Sequence, residues 1–202
     1  MRLSLFSTRV ALLGVLTLPV SLCAQASAML PSGTGFSIAG AVGMTRMQLS
    51  NFGIGLEGSS FRPEGQIEVA YGASPRLQLV AAFRPVLGKV GDQKYTINGA
   101  ELGLRYLGHA GMPLRPFAEG GFGIRTFRYE VSDLFTSTNV SPWASVGVMR
   151  LAKSHWSAEA AATWTISTFD NWVVNGQPRV LGAARWTAVG ARAGVRYWVR
   201  AR

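Results

Sequence analysis

Residues 189–199, Val189-Gly190-Ala191-Arg192-Ala193-Gly194-Val195-Arg196-Tyr197-Trp198-Val199, alternate strictly between two kinds of side chain. The odd-numbered positions are all uncharged, whereas the even-numbered positions hold glycine, arginine and tryptophan. Successive side chains of a strand point to opposite faces, so this pattern predicts a β-strand with one apolar and one polar face. The segment has about the 9–11 residues that a tilted strand needs to cross a membrane.

The same alternation recurs upstream, interrupted by Gly, Pro, Asn and Ser, and it predicts eight strands. We place them at residues 35–45, 65–73, 76–85, 96–107, 115–127, 142–151, 156–168 and 186–199. The predicted connections alternate between short turns and long loops, the long ones being 46–64, 86–95, 130–141 and 169–185. Long extracellular loops and short periplasmic turns are typical of outer-membrane barrels. The expected fold class is all-β: a closed, antiparallel, up-and-down transmembrane β-barrel of about eight strands.

In every predicted strand, one of the two sets of alternate residues, which we call a phase, carries no charge. A lipid-facing surface requires this, since Arg or Lys at mid-bilayer costs about 2–4 kcal/mol. The opposite phase holds charged residues, and we predict that these form an ion-pair network in the lumen: Glu68, Arg84, Glu101, Arg105, Glu119, Arg125, Glu159, Arg192 and Arg196. Alternation alone leaves open a soluble ligand-binding barrel, whose apolar residues point inward. Aromatic residues at the predicted periplasmic strand ends favour the membrane barrel, because they match an aromatic girdle: Tyr71, Tyr106, Trp156 and Tyr197.

The formal net charge of the 202-residue chain is +10 at pH 7. A basic chain can bind nucleic acid or an anionic membrane surface. No basic run is present, so nucleic acid is not an expected partner. Lysine occurs only at Lys89, Lys94 and Lys153, and the dominance of arginine suits paired sites better than a soluble basic surface.

The N-terminal segment, residues 1–28, is organised as a secretory signal peptide. Arg2 and Arg9 come before an apolar stretch at residues 10–22, and the small residues Ala26 and Ala28 follow it. The apolar stretch is shorter than the roughly 20 residues that a membrane-spanning helix needs. We expect cleavage after Ala28, which leaves residues 29–202 as one outer-membrane barrel domain.

Three further features are weak indications of chemistry. Cys23 is not a good lipidation site, because Leu22 precedes it where a small residue is required. Residues 53–58 match G-x-G-x-x-G, but a dinucleotide site needs a strand before the motif and a helix after it. His109 and His155 are the only histidines, and both fall in predicted periplasmic turns. We therefore expect no catalytic residues, no cofactor and no metal site.

The C-terminal strand resembles the assembly signal of outer-membrane barrels, which has a polar residue, a glycine, an aromatic residue and a hydrophobic residue in fixed order. The matching positions are Arg192, Gly194, Tyr197 and Val199. The chain departs from that pattern by continuing to Arg202, whereas members usually end on or near the aromatic residue. This resemblance implies insertion by the barrel-assembly machinery after passage with periplasmic chaperones.

Residues 30–202 as a whole resemble the small outer-membrane β-barrel superfamily that includes outer membrane proteins A and X and the opacity-type surface barrels. Residues 115–123, RPFAEGGFG, are similar to a central strand of that group. The resemblance implies a monomer in the cell outer membrane, in contact with outer-membrane lipid and lipopolysaccharide. It implies architecture and location rather than a specific activity.

The expected function is structural, or an interaction at the cell surface through the long loops, with a loop partner that the sequence does not identify. Two alternatives remain open, a lipid-modifying enzyme and a narrow channel. An enzyme acting on outer-leaflet lipid would need its active group near the outside, where neither histidine is predicted. A channel would need a continuous wet lumen, but side chains just fill the interior of an eight-stranded barrel.

Overall fold

The computed structural model describes residues 33–50, 58–90, 93–109, 112–130, 132–153 and 155–199. The predicted signal peptide, Cys23, most of the glycine motif and the tail after Val199 lie outside the described residues. Within these ranges the strands are β1 Gly35–Ser50, β2 Gly58–Gly72, β3 Leu77–Val90, β4 Gln93–Leu107, β5 Leu114–Glu130, β6 Leu134–Lys153, β7 Trp156–Phe169, β8 Trp172–Val174, β9 Gln177–Arg179 and β10 Ala184–Trp198. Among the described residues, no helix combines the length and apolar character needed to span a membrane.

Eight of these strands close into an antiparallel barrel, which confirms the predicted fold class. Strands β1 to β7 pair in chain order, and β10 lies between β7 and β1. The closing ladder between β1 and β10 runs from Ser37 opposite Trp198 to Ser50 opposite Arg185. Closure leaves the barrel without an unpaired edge, which a sheet in lipid requires because no water is present to satisfy backbone groups.

The barrel strands extend further at the extracellular end than the sequence indicated. Most of the predicted loops 46–64, 86–95 and 130–141 are paired strand, so the prediction of long loops was wrong there. Segment 135–139 illustrates the reason: its outward residues, Thr136 and Thr138, are polar, so the outward side chains there are not apolar. Our interpretation required one apolar phase throughout, and it therefore ended each strand where that phase stops.

The last predicted loop, 169–185, contains a small hairpin made of β8 and β9. Its turn is Asn175-Gly176, and both residues have positive φ, 51° and 82°, as a two-residue type I′ turn requires. Strand β8 pairs with the start of β6, where Phe135 lies opposite Val174. The outer strand β9 carries Pro178 and Arg179, residue types that discourage further pairing at a sheet edge. We had expected a loop throughout this segment and did not use its Asn-Gly dipeptide, which is a hairpin signal.

Candidate functional site

The nine residues of the predicted lumen network all lie inside the barrel, and none is more than 5% exposed. They are carried by six strands, because inward positions at the same height on neighbouring strands meet across the narrow interior. Together with other inward polar side chains they form two connected groups, a lower one toward the periplasmic end and an upper one toward the extracellular end.

Arg105 is the centre of the lower group. Its guanidinium lies 2.9 Å from a Glu68 oxygen, 2.6 Å from a Glu119 oxygen and 3.9 Å from a Glu159 oxygen. Arg196 binds Glu159 at 3.0 Å and also donates to Glu68, so three carboxylates are shared among arginines. Charge-assisted hydrogen bonds of this kind are about twice as strong as neutral ones.

Arg192 completes the lower group from the C-terminal strand, where it donates to Glu119. The lower group therefore joins three arginines to three glutamates. Because every side chain in it is buried, the charges are not screened by solvent and depend on one another for compensation.

Arg84 and Arg125 form the upper group around Glu101. The Arg84 guanidinium lies 3.0 Å from Glu101 Oε2 and 3.4 Å from Glu64 Oε1. Arg125 donates to Glu101 and, at 3.2 Å, to the Thr165 hydroxyl. These contacts place two arginines against two glutamates.

Gln66 connects the two groups. Its amide nitrogen donates to Glu68 at 2.8 Å, and its amide oxygen accepts from Arg84 at 3.2 Å. Sequence reasoning missed both Gln66 and Glu64 as members of the network. Glu64 had been assigned to a loop, although it keeps the inward phase of Glu68. With Glu64 included, five glutamates balance the five network arginines in the described interior.

Four of the network arginines also lie over aromatic rings. The guanidinium carbon is 4.8 Å from the ring centre for Arg105 over Phe117 and 5.1 Å for Arg125 over Trp186. The corresponding distances are 5.7 Å for Arg84 over Trp143 and 5.9 Å for Arg196 over Trp198. A planar guanidinium can stack on a ring while its edge binds carboxylates, which an ammonium cannot do as well. This explains why the interior cations are arginines.

Gly99 and Gly103 leave the room that these large side chains need. A Cβ at Gly99 would lie 2.6 Å from Arg125 Nη1, and one at Gly103 would lie 2.7 Å from Trp143 Cζ2. The interior is therefore filled by long side chains that reach over glycine rather than by residues of uniform size.

Apolar clusters cover the ionic layer at both ends, a feature that the sequence analysis did not predict. The extracellular cluster consists of Met47, Leu49, Val86, Tyr95, Ile97, Phe127, Tyr129, Phe169, Trp172, Ala184, Trp186 and Ala188. The periplasmic cluster consists of Leu107, Phe117, Met149, Leu151, Ala161 and Trp198. The charged layer is thus enclosed between two layers of packed apolar side chains.

Arg115 is a buried arginine outside the network, at the periplasmic end. It donates to the carbonyl oxygens of Pro75 and Gly108 at 2.6 and 3.1 Å. It therefore ties two periplasmic turns together.

Solved structures with the same architecture are small barrels of the bacterial outer membrane. Neisserial surface protein A matches with a TM-score of 0.66 and 13% identity, over 82% of this chain and 98% of that chain. The protein OprG of Pseudomonas aeruginosa matches with a TM-score of 0.51 and 13% identity, over 84% and 98%. The N-terminal barrel domain of OprF from the same species gives 0.51 and 12%, over 80% and 98%.

The fold is that of the small outer-membrane β-barrels. No protein-family model and no curated protein matches the chain. At 12–13% identity the structural likeness establishes the fold and does not extend to what these proteins bind.

The outer face of this outer-membrane fold is the phase that the sequence analysis assigned to lipid. Leu102 and Val146 are 64% and 61% exposed on it. The aromatic residues proposed as a girdle also point outward at the periplasmic strand ends: Tyr71, Tyr106, Trp156 and Tyr197. Trp156 and Tyr197 are register partners, and their ring centres lie 5.0 Å apart.

The residues of the proposed assembly signal divide between the two faces of β10. Arg192 points into the network, and a Cβ at Gly194 would lie 2.4 Å from the Gly40 carbonyl oxygen, so β1 approaches closely there. Tyr197 and Val199 face outward. The structure gives these residues positions, whereas their recognition by the insertion machinery stays a prediction.

The two histidines lie at the periplasmic end and do not form a site together. His109 Nδ1 is 3.5 Å from the Arg76 guanidinium, and the His155 ring stacks on Tyr197 with centres 5.9 Å apart. Within the described ranges, no group of three or more His, Cys, Asp or Glu side chains has a geometry that would hold a metal ion.

Proposed function

We propose that this protein resides in the cell outer membrane as a closed barrel that passes no solute and presents a rigid extracellular sheet for structural or surface interactions. The observation that carries the proposal is the filled interior, in which an ionic layer lies between two apolar clusters. The uncharged outer face and the periplasmic aromatic residues support the membrane location.

A path through the interior would require several of these layers to open together. Removing one partner of a buried ion pair typically costs about 3–5 kcal/mol, because the other charge is left without compensation. In the extracellular layer, Phe127 packs at 5.7–5.9 Å from the rings of Tyr95, Phe169 and Trp172. Spontaneous opening for solute passage is therefore unfavourable both in the ionic layer and in the extracellular apolar cluster.

The extracellular part of the barrel supports an interaction role by a rigid surface rather than by long loops. Strand β5 continues to Glu130 and β6 begins at Leu134, and the β8–β9 hairpin adds to the same sheet. Asn175 fastens the hairpin, because its side chain accepts from the Leu134 amide at 2.9 Å and donates to Asp133 at 2.6 Å.

Conductance across a planar bilayer tests the closed-barrel proposal. We expect the purified parent to give no discrete current steps at physiological salt, because the interior is filled. As a positive control, a combined Phe127→Ser and Trp186→Ser variant removes two fully buried rings of the extracellular cluster and should raise the conductance if it inserts. Discrete channel steps in the parent would overturn the proposal.

A further inference from the structure

The pairing between β6 and β7 stops before either strand reaches its extracellular end. Their ladder extends to Trp143 opposite Thr165, although both strands continue beyond that pair. Within the described ranges, no ladder pair joins residues 138–142 of β6 to residues 166–169 of β7. The ladders between β4 and β5 and between β1 and β10 continue without such a gap. We refer to the two facing segments, 138–142 and 166–169, as the seam.

Pairing resumes above the seam in a register that is shifted by one residue. Ser137 of β6 lies opposite Trp172 of β8, whereas the lower register, if continued, would place Asn171 there. Residues 166–171 thus face residues 138–142, one residue more on the β7–β8 side, as in a β-bulge. A bulge leaves backbone groups out of the ladder, so the seam is a local interruption in a sheet that is closed below and above it.

The direction of the backbone groups explains why Pro142 lies at the seam. In a strand, the N–H and C=O of one residue point to the same neighbouring strand, and alternate residues share that neighbour. Both backbone groups of Leu134 bind Asn175 next to β8, so the even-numbered residues of β6 face β7 and β8. The nitrogen of Pro142 therefore faces β7, and it has no hydrogen to donate to a ladder bond there.

The side chain of Asn139 takes the place of ladder bonds across the seam. Its amide nitrogen donates to the Thr168 carbonyl oxygen and, at 2.9 Å, to the Asp170 carboxylate. Its amide oxygen accepts from the Val140 N–H at 3.2 Å, an amide that faces the seam. Two acceptors at one end and one donor at the other fix the orientation of this amide group. Asn139 therefore holds β6 to β7 where the ladder does not.

Two parts of the extracellular sheet meet at the seam. The first consists of the upper parts of β5 and β6 with the β8–β9 hairpin, and the second consists of β7 and β10. Apart from Asn139, Phe127 of the first part packs against Phe169 of the second, with ring centres 5.7 Å apart. The chain passes between the two parts at residues 170–171 and 180–183, which lie outside the strands. The two parts are thus joined by fewer backbone bonds than other neighbouring strands.

We propose that the barrel wall opens locally at the seam and that Asn139 is the latch. When its side chain releases Thr168 and Asp170, the first part moves away from β7 as one body. The hinge is the last ladder pair below the seam, where the Thr165 hydroxyl accepts from Arg125 of the network at 3.2 Å. Local opening begins where backbone bonding is weakest. The inference goes beyond the proposed function, because the motion leaves the ionic layer closed.

Residue-resolved hydrogen exchange of the folded parent in phosphatidylcholine nanodiscs tests the seam directly. The Thr168 carbonyl faces the seam, so the even-numbered residues of β7 face it too, and the odd-numbered ones face β10. We expect the amides of Ile166 and Thr168 to exchange about tenfold faster than those of Ser167 and Phe169 on the same strand. Equal protection of the two sets would overturn the proposal.

Two variants of Asn139 test the latch. Asn139→Ala should speed exchange at Ile166 and Thr168 by about a further tenfold, because two hydrogen bonds across the seam are lost. Asn139→Asp should speed it more at pH 7, because the new carboxylate would face that of Asp170. Unchanged exchange at both amides in Asn139→Ala would show that Asn139 is not the latch.

Thr126→Val is the matched control. The Thr126 and Thr138 hydroxyls lie 3.1 Å apart near the level of the seam, but they belong to the continuous β5–β6 ladder. Exchange at Ile166 should therefore stay within about twofold of the parent, and an effect as large as that of Asn139→Ala would overturn the assignment to Asn139.

Two further measurements separate this inference from the proposed function. The shift in gel mobility between heated and unheated samples verifies that each variant folds, and the comparison within the parent decides the seam even if Asn139→Ala does not fold. Planar-bilayer recordings of Asn139→Ala should show no current steps. Steps in this variant but not in the parent would contradict the claim that the ionic layer stays closed, whereas steps in the parent would contradict the closed barrel itself.

Discussion

Replacing Arg105 by alanine is the sharpest test of the interior network. The guanidinium contacts carboxylates of Glu68, Glu119 and Glu159 and stacks on Phe117 at 4.8 Å. Without it, three buried carboxylates would share only two arginines of the lower group. An uncompensated buried charge costs about 3–5 kcal/mol, and lost stacking adds to this. We expect Arg105→Ala to lower the free energy of unfolding by about 4 kcal/mol.

The assay is urea unfolding in lipid vesicles, followed by tryptophan fluorescence, with the heat-dependent gel shift as a second measure. Arg128→Ala is the matched control, because the side chains of Arg128 and Glu130 are 58% and 69% exposed and such pairs contribute at most about 1 kcal/mol. In the Arg105→Ala background, Glu119→Gln should cost less than in the parent, because it removes one of three carboxylates that are left with only two arginines. Equal stability of Arg105→Ala and Arg128→Ala would refute the inward, mutually compensating arrangement.

Four further changes probe the remaining assignments. Leu102→Arg places a charge on the lipid face and should reduce folding in vesicles by about 2–4 kcal/mol; a fully folded variant would argue against that orientation. Trp172→Ala should cost about 3–5 kcal/mol in the same urea assay, since the ring is packed in the extracellular cluster, and a neutral result would place it in a loop as the sequence alone suggested. Tyr197→Ala should lower the folded level in membrane fractions far more than Tyr106→Ala, a girdle residue that also faces outward; equal levels would show that Tyr197 is not part of the assembly signal. N-terminal sequencing of the exported protein should begin at Met29, and a retained N-terminus would contradict the signal peptide.

The sequence predicted the membrane-embedded part of the barrel well, and strand β7 illustrates why. It was expected at 156–168 and spans Trp156–Phe169. Its outward positions up to Ile166 are apolar because lipid excludes charge, while most of its inward positions carry small polar residues or Glu159. Lipid imposes one rule on every strand at this depth, so alternation is enough to place the strands, and the aromatic residues at the periplasmic strand ends indicate which face is outward.

The sequence predicted which charged residues point inward better than it predicted which of them pair. The alternation identified which charged residues point inward, but partners such as Arg196 and Glu68 are 128 residues apart and meet only because β10 pairs with β1 and closes the barrel. Glu64 was missed because β2 was started too late, at residue 65 rather than Gly58. Which residues pair depends on the register between strands, because the register sets the height of each inward side chain in the barrel. A single sequence does not specify that register.

The change of solvent along a strand accounts for the errors at the extracellular end. In lipid, an apolar side chain gains little by moving inward, because acyl chains are as apolar as leucine. The interior at that depth can therefore be ionic, as at Arg125, while Ile124 faces outward. Beyond the bilayer the outside is water, and apolar residues are stabilised inside, as in a soluble barrel.

Strand β5 changes its pattern where that boundary is expected. Up to Ile124 the even-numbered side chains are apolar and face lipid, but Phe127 and Tyr129 are odd-numbered, apolar and buried, and Arg128 faces outward. The period of two continues through the change, and only the apolar phase moves from one face to the other. An alternating segment whose apolar phase switches should thus be interpreted as one strand leaving the membrane, not as a strand followed by a loop. Applied to residues 46–50 and 93–97, the same rule extends β1 and β4 to their observed ends, since Met47, Leu49, Tyr95 and Ile97 are all inward and buried.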